Sequence, residues 1–434
     1  MNVCVVGLGK IGLPLALQIA GKGHRVIGAD VDRRVVDEVT AGREPFPGEP
    51  GLAARLAATT ASGHLRATTD TTAAVAGCDV VVVVVPLVVD AGHTPDFRAI
   101  DAATAAVAAG LRPGTLVSYE TTLPVGTTRG RFVPALVRGS GREVGVDLFV
   151  CHSPERVSSG RVFGDLRRYP KLVGATEPAG AARAVAFYDS VLDFDPRPDL
   201  DRPNGVWDLG SAEAAEMAKL AETTYRNVNI AFANELAVAG DRLGVDVEAV
   251  IEAANSQPYS HIHRPGIAVG GHCIPVYPYF LLAGDGTARL VRTGLEVNAA
   301  MPAYAVGLLA GLLGGLAGST VVVLGAAYRG GVKETAFSGV FAVVAALEGA
   351  GARAVVHDPL YADDELAALG LTPFRTGEPC DGIIVQTDHE EYRTVVPASY
   401  PGVRGVVDGR GILDEGLWEG VPIDRIGRPR TAGD

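Results

Sequence analysis

The 434-residue chain reads as an α/β protein built from two strand–helix halves joined by one long helix. Three observations carry that reading. Up to about residue 175, short β-branched runs alternate with helix-like stretches. From Ser211 the segment SAEAAEMAKLAETTYRNVNIAFANELAVAGDRLG continues without proline, and its first glycine is Gly240. The strand–helix texture then returns at TVVVLGAAYRGG, residues 320–331. Alternation of this kind marks βαβ units around a parallel sheet.

The elements follow in order. NVCVVG, HRVIGAD, DVVVVVVP, TLVSYE, DLFVCH and KLVGA read as strands, with IGLPLALQIAGKG and DFRAIDAATAAVAAG as helices between them. DVVVVVVP, residues 79–86, has the length of a strand buried on both faces and is far too short to span a bilayer. The segment from Ser211 predicts a single long helix, a spine linking two domains and a surface suited to a homodimer. Beyond it ARAVVHDP, DGIIVQTD and GVVDGRG supply the strands of a second, smaller α/β domain. The expected division is a cofactor domain over residues 1–200, a central helical and dimerisation domain over 201–305, and a second nucleotide-type domain over 306–434.

Composition narrows the function. A hydrophobic share of 47% with 20% charged residues is that of a globular chain, and a formal net charge of −12 argues against a nucleic-acid surface. Small anionic ligands stay open, because a few cations and helix N-termini suffice for them. The five cysteines, Cys4, Cys78, Cys151, Cys273 and Cys380, are odd in number and widely spaced, as a reducing cytosol permits. The opening MNVCVVGLGKIG has neither a basic n-region nor a cleavage site, so a cytoplasmic protein without membrane segments is expected.

The first strand runs directly into Gly7-Leu8-Gly9-Lys10-Ile11-Gly12 and a helix. In such a turn Gly7 bends the chain, Gly9 lets the backbone approach a pyrophosphate, and Gly12 lets helix and strand pack closely. Asp30 closes the second strand where a ribose hydroxyl needs an acceptor, which favours NAD. Arg33 and Arg34 just after it leave a 2′-phosphate tolerable.

Cys273 sits in GGHCIPVYPYF, residues 270–280. A structural cysteine belongs within an apolar helix or strand, whereas this one lies in a Gly-Gly turn where backbone can approach a ligand. His261, His263 and His272 lie nearby, but H-x-H-x8-H-C fits no common zinc arrangement, so no metal is expected. A dinucleotide turn combined with a turn-mounted cysteine suggests oxidation through a covalent thiohemiacetal.

Long motifs in order then make a resemblance plain: GLGKIGLPLA, ETTLPVGTT (120–128), SPERVSSG (153–160), AEMAKLAETTYRNVNIAFANELA (215–237), RPGIAVGGHCIPVYPYFL (264–281) and VLGAAYRGGVKE (323–334). Over essentially its whole length the chain resembles the nucleotide-sugar 6-dehydrogenases, and SPERV with GGHCIPV is closest to the branch acting on UDP-N-acetylglucosamine and UDP-N-acetylmannosamine. The resemblance implies NAD as cofactor, a nucleotide-sugar substrate, and oxidation of its C6 alcohol through a cysteine thioester to a uronate. It makes Cys273 the nucleophile and Lys219 the oxyanion stabiliser, with Thr122 and Glu155 positioning water and protons. By the same resemblance Gly7, Gly9, Ile11, Gly12, Asp30, Arg34, Pro86 and Thr122 face the cofactor. Arg156, Val157, Lys219, Asn227, Arg264, Gly270 and Arg329 face the substrate, Arg264 from across a homodimer.

The chain also departs from that family. Tyr277 stands where the family commonly has Asp four residues after the cysteine, and Thr223 where it has Asn four residues after the lysine. The last motif carries Arg329 for a Lys, Lys333 for an acid and Ala336 for an Arg, and Pro86-Leu87 replaces a usual Pro-Thr. A neutral Tyr277 in place of a carboxylate weakens water activation for thioester hydrolysis. Three readings therefore stay open: the full four-electron oxidation, a two-electron oxidoreductase, and a nucleotide-sugar-binding homologue without turnover.

Overall fold

The computed structural model describes residues 1–90 and 92–428, and the chain forms two compact units. The first comprises residues 1–222 and 279–286, the second 223–278 and 287–428.

In the first unit the strands are β1 (Asn2–Val6), β2 (Arg25–Ala29), β3 (Leu65–Thr68), β4 (Val80–Val83), a small hairpin of β5 (Val88–Val89) and β6 (Pro95–Asp96), β7 (Thr115–Tyr119), β8 (Leu148–His152), β9 (Lys171–Ala175) and β10 (Val206–Asp208). Eight of them form one sheet in the order β10-β9-β8-β7-β4-β1-β2-β3. Val80, Val81, Val82 and Val83 are all buried, as expected of a run covered on both faces. Because β1 lies between β2 and β4, strand order reverses beside it, which opens the crevice where ligands of such sheets bind.

One junction departs from the expected all-parallel sheet: β9 runs antiparallel to β8, pairing Cys151 with Ala175 and His152 with Gly174. The connection between them carries only the short helix Val162–Arg168, too little for a full crossover that would return the chain parallel. The consequence is positional. Lys171, the first residue of β9, is carried to the end of the sheet from which Glu120 and Glu155 emerge after β7 and β8.

The spine helix is Ala212–Leu243, within one residue of its expected start and end. In the second unit β11 (Thr320–Leu324), β12 (Arg353–His357), β13 (Gly382–Val385), β14 (Gly405–Asp408) and β15 (Ile423–Arg425) form an all-parallel sheet in the order β12-β11-β13-β14-β15. Its first strand again lies between the next two, so the device of the first unit is repeated. The helix Arg289–Leu313 is long and apolar enough to cross a membrane by length and composition. Its apolarity has a nearer cause, since Met301, Ala305, Val306 and Leu309 belong to the core beneath this second sheet.

Candidate active site

The glycine turn after β1 divides its labour as its spacing predicts. Gly7 has φ +96°, a conformation L side chains rarely adopt, and its N–H donates to Ala29 O at 2.8 Å. A Cβ on Gly12 would lie 1.9 Å from Gly7 O, so only glycine lets the helix Gly12–Gly21 pack onto the turn. A Cβ on Gly9 would meet nothing within 4 Å. That open approach is what a pyrophosphate needs, and it is the feature by which this turn fits NAD. Ile11 opens the helix and packs on the core.

Asp30 ties the turn down. Its Oδ2 accepts from Leu8 N at 2.7 Å and its Oδ1 from Asp32 N at 2.9 Å. Each oxygen keeps a second acceptor site for a ribose hydroxyl. Arg34 donates from Nη1 to Pro45 O at 3.1 Å and lies 3.6 Å from Asp32 Oδ2, its side chain 63% exposed. Pro86 is exposed at the mouth of the β4 end.

ETTLPVGTT is held by contacts its sequence does not announce. Thr121 Oγ1 donates to Val85 O at 2.6 Å. Glu216, fully buried on the spine helix, accepts from Gly126 N at 2.6 Å, Thr128 N at 2.8 Å and Thr128 Oγ1 at 2.6 Å. Thr122 is buried between these clamps. Lys219 is also buried, and its Nζ donates to Glu222 Oε1 at 3.1 Å while Arg156 Nε donates to Glu222 Oε2 at 2.9 Å. Glu222 thus joins two of the expected substrate residues, and nothing in the sequence reading singled it out. Val157 packs on the core, and its backbone N–H faces Glu155 Oε1 at 3.2 Å.

In the second unit Cys273 occupies the turn expected for it, just before the helix Tyr277–Gly284. Backbone contacts shape that turn. Cys273 O accepts from Val276 N at 3.2 Å and Tyr277 N at 2.9 Å, and Gly271 N donates to Ala336 O at 2.9 Å. The paired glycines are required by packing: a Cβ on Gly270 would lie 2.6 Å from Tyr328 Cβ, and Gly271 has φ +88°. Asn227 is only 1% exposed; its Nδ2 donates to Ile274 O at 3.2 Å and anchors the cysteine turn, while its Oδ1 has no hydrogen-bond partner among the described residues. Thr223 and Thr224 are buried beside it on the same helix. Cys273 is half-buried, whereas Cys4, Cys78, Cys151 and Cys380 are buried.

The loop after β11 mirrors the loop after β1. Gly325 has φ +107°, and Asp358, at the end of β12, accepts from Ala326 N at 2.8 Å and Ala327 N at 2.9 Å as Asp30 does from Leu8 N. Arg329 is exposed on this loop. A cavity of about 570 Å³ opens at the C-terminal end of β14, lined by Arg264, Arg410, Arg425 and Arg428 with Glu248 and Glu252. Its size suits a small molecule and its arginines suit an anion. Arg264 is 86% exposed and its Nη1 lies 3.9 Å from Glu248 Oε1, a loose surface pair.

A dinucleotide turn at one switch point, a second nucleotide-type turn at another and a half-buried thiol are the parts of an enzyme that takes a dinucleotide and a nucleotide-bearing substrate. Comparison with known proteins makes this particular: the chain belongs to the UDP-glucose/GDP-mannose dehydrogenase family. The NAD binding domain of that family matches residues 1–192, the central domain 213–300 and the UDP binding domain 322–415. The chain is 35% identical over 425 residues to the UDP-N-acetyl-D-mannosamine dehydrogenase of Pyrococcus horikoshii, covering 96% of each chain. It is 38% identical over 312 residues to the NDP-N-acetyl-D-galactosaminuronic acid dehydrogenase of Ralstonia nicotianae, covering 70% of each. The solved structure of UDP-D-ManNAc dehydrogenase from Pyrococcus horikoshii superposes with a TM-score of 0.87 at 32% identity, over 99% of this chain and 100% of that one. The chain is thus an NAD-dependent oxidoreductase that oxidises a nucleotide sugar to a uronate.

Proposed function

We propose that the substrate is a UDP-N-acetylhexosamine of the N-acetylmannosamine kind and that its oxidation passes through a covalent adduct on Cys273. The observation that carries this reading is the half-buried thiol in a turn whose shape depends on backbone contacts rather than on sulfur. NAD, held by Gly7, Gly9, Gly12 and Asp30, supplies the hydride acceptor for both oxidations. Lys219, kept in place by Glu222, offers its ammonium to the developing alkoxide. Cys273 Sγ adds to the aldehyde carbon, and the resulting hemithioacetal is oxidised to a thioester. Glu155 takes up the proton that the C6 alcohol gives up on oxidation, and Thr122 and Glu155 then orient the water that attacks the thioester carbonyl, releasing the thiol and the carboxylate product. Residues 1–200 serve the cofactor, 201–305 carry Lys219, Cys273 and Arg264, and 306–434 take the nucleotide sugar with Arg329.

Stoichiometry tests the reading. With UDP-N-acetylmannosamine, two NADH per sugar are expected; one would mean a two-electron oxidoreductase, and none a binding homologue.

Tyr277 makes the hydrolytic step the slow one, because a phenol replaces the family's carboxylate. An acyl-enzyme on Cys273 should therefore accumulate and be visible by intact-protein mass spectrometry under turnover. Tyr277→Asp should shorten its life; an adduct of unchanged lifetime would relieve Tyr277 of any part in hydrolysis.

The spine helix exposes Met217 at 50%, Tyr225 at 54% and Phe232 at 48%, spaced i, i+8, i+15 along one stripe. This supports a homodimer closed through that stripe, in a cytoplasmic enzyme whose thiols stay reduced. Light scattering at micromolar concentration should give twice the chain mass, and a monomer would count against it.

A further inference from the structure

The first unit buries a group of charges that the mechanism above leaves largely unused. Lys171 Nζ donates to Glu120 Oε2 at 2.9 Å and to Glu155 Oε2 at 2.8 Å, with the lysine side chain 4% exposed and the two carboxylates 0% and 11%. The antiparallel register of β9 is what makes this possible, since it runs Lys171 back alongside the segment that follows β8. The far ends are also tied. Glu155 Oε1 accepts from Arg156 N at 2.6 Å, and Tyr188 OH donates to Glu120 Oε1 at 2.6 Å. Ser118 Oγ lies 2.7 Å from Tyr188 OH.

We propose that Lys171 and Glu120 are positioning residues that hold the Glu155 carboxylate in direction and charge, and that Glu120 stores the proton Glu155 takes up during oxidation. The inference rests on Glu155 acting in the reaction as proposed above. The transfer is balanced: protonated Glu155 returns its proton to Lys171 as Lys171 passes one from its ammonium to Glu120. Glu155 is left ionised, Lys171 still cationic and Glu120 neutral.

Two carboxylates sharing one buried ammonium cannot both ionise freely. Burial pushes Glu120 up to about 7, an effect the Lys171 ammonium only partly offsets and the Glu155 charge reinforces. Burial also opposes the charge of Glu155, but Lys171 and the Arg156 N–H outweigh it and hold the group below the usual carboxylate range. Glu155 thus stays a hydrogen-bond acceptor for water, and Glu120 is the member with appreciable proton affinity near neutrality. The remaining groups facing the pair do not compete: burial keeps His152 neutral down to about 3, raises the Cys151 thiol to about 12 and holds the Tyr188 phenol well above its ordinary range.

The pH profile of kcat in the dimeric enzyme, with NAD and UDP-N-acetylmannosamine, is the test. Wild type should show an inflection near pH 7 that belongs to the cluster as a whole. Glu120→Gln, whose amide oxygen can still accept from Lys171 while its NH2 donates to the Tyr188 oxygen, should remove that inflection and lower kcat by at least about tenfold with KM nearly unchanged. Lys171→Arg should restore more activity than Lys171→Met, and Lys171→Met/Glu120→Gln keeps a folded comparison if the single methionine variant fails to fold. Infrared difference spectra between acidic and alkaline buffer, without substrate, should show a buried carboxylic-acid band that vanishes in Glu120→Gln. A Glu120→Gln variant with the wild-type profile and band overturns the proposal while Glu155→Gln remains slow. Wild-type turnover in Glu155→Gln would instead overturn the role of Glu155 and this proposal with it.

Discussion

Cys273→Ala is expected to abolish uronate formation, with a fall in turnover of at least about 10³-fold, because no other group on the turn can form the thioester. The loss should be chemical rather than structural. The turn is fixed by Gly271 N on Ala336 O, by Tyr277 N on Cys273 O, and by the Asn227 amide on Ile274 O, none of which involves sulfur. Cys273→Ser should still form some aldehyde, since a hydroxyl fills the space but is a far weaker nucleophile than a thiolate. Chromatographic separation of aldehyde and uronate, with NADH counted in parallel, distinguishes the two variants. Wild-type uronate production by Cys273→Ala would make the thiol structural and end the covalent reading.

The second large effect concerns the cofactor and separates two glycines of one turn, Gly9 and Gly12. In Gly9→Val the new side chain meets no protein atom within 4 Å of its Cβ, so the fold should persist. NAD affinity, measured by calorimetry, should drop by at least about 100-fold, or about 2.8 kcal/mol, because the valine stands where the pyrophosphate approaches. Gly12→Val should behave in the opposite way. Its Cβ would lie 1.9 Å from Gly7 O, so the helix cannot seat and folded protein should not accumulate. Unchanged NAD affinity in a folded Gly9→Val would remove the dinucleotide from this turn.

These glycines also mark how far the sequence could be read. Gly7, Gly9 and Gly12 were legible because their roles are set by neighbours a few residues away, and the strands were legible because a β-branched run buried on both faces has no other use. The spine helix was bounded by the simplest rule, the absence of breakers. What escaped notice depends on contacts between distant residues. Lys171 reads as the start of an apolar strand, and only the antiparallel return of β9 brings it to Glu120, 51 positions away. Glu216 reads as a solvated helix residue until the loop at Gly126 and Thr128 closes over it, some 90 positions off. Asn227 was legible as a motif residue but not as the anchor of Ile274, since periodicity cannot say which loop will lie against a helix face.

The uneven burial of the five cysteines has a practical side. Four thiols are shut in the cores while Cys273 alone is half-open, so a colourless-to-yellow disulfide reagent applied to the native enzyme should react first with a single sulfur per chain. The size of that first burst gives the molar concentration of intact sites in a preparation, independent of any substrate. Rates measured on different batches or variants can then be expressed per competent site rather than per milligram of protein.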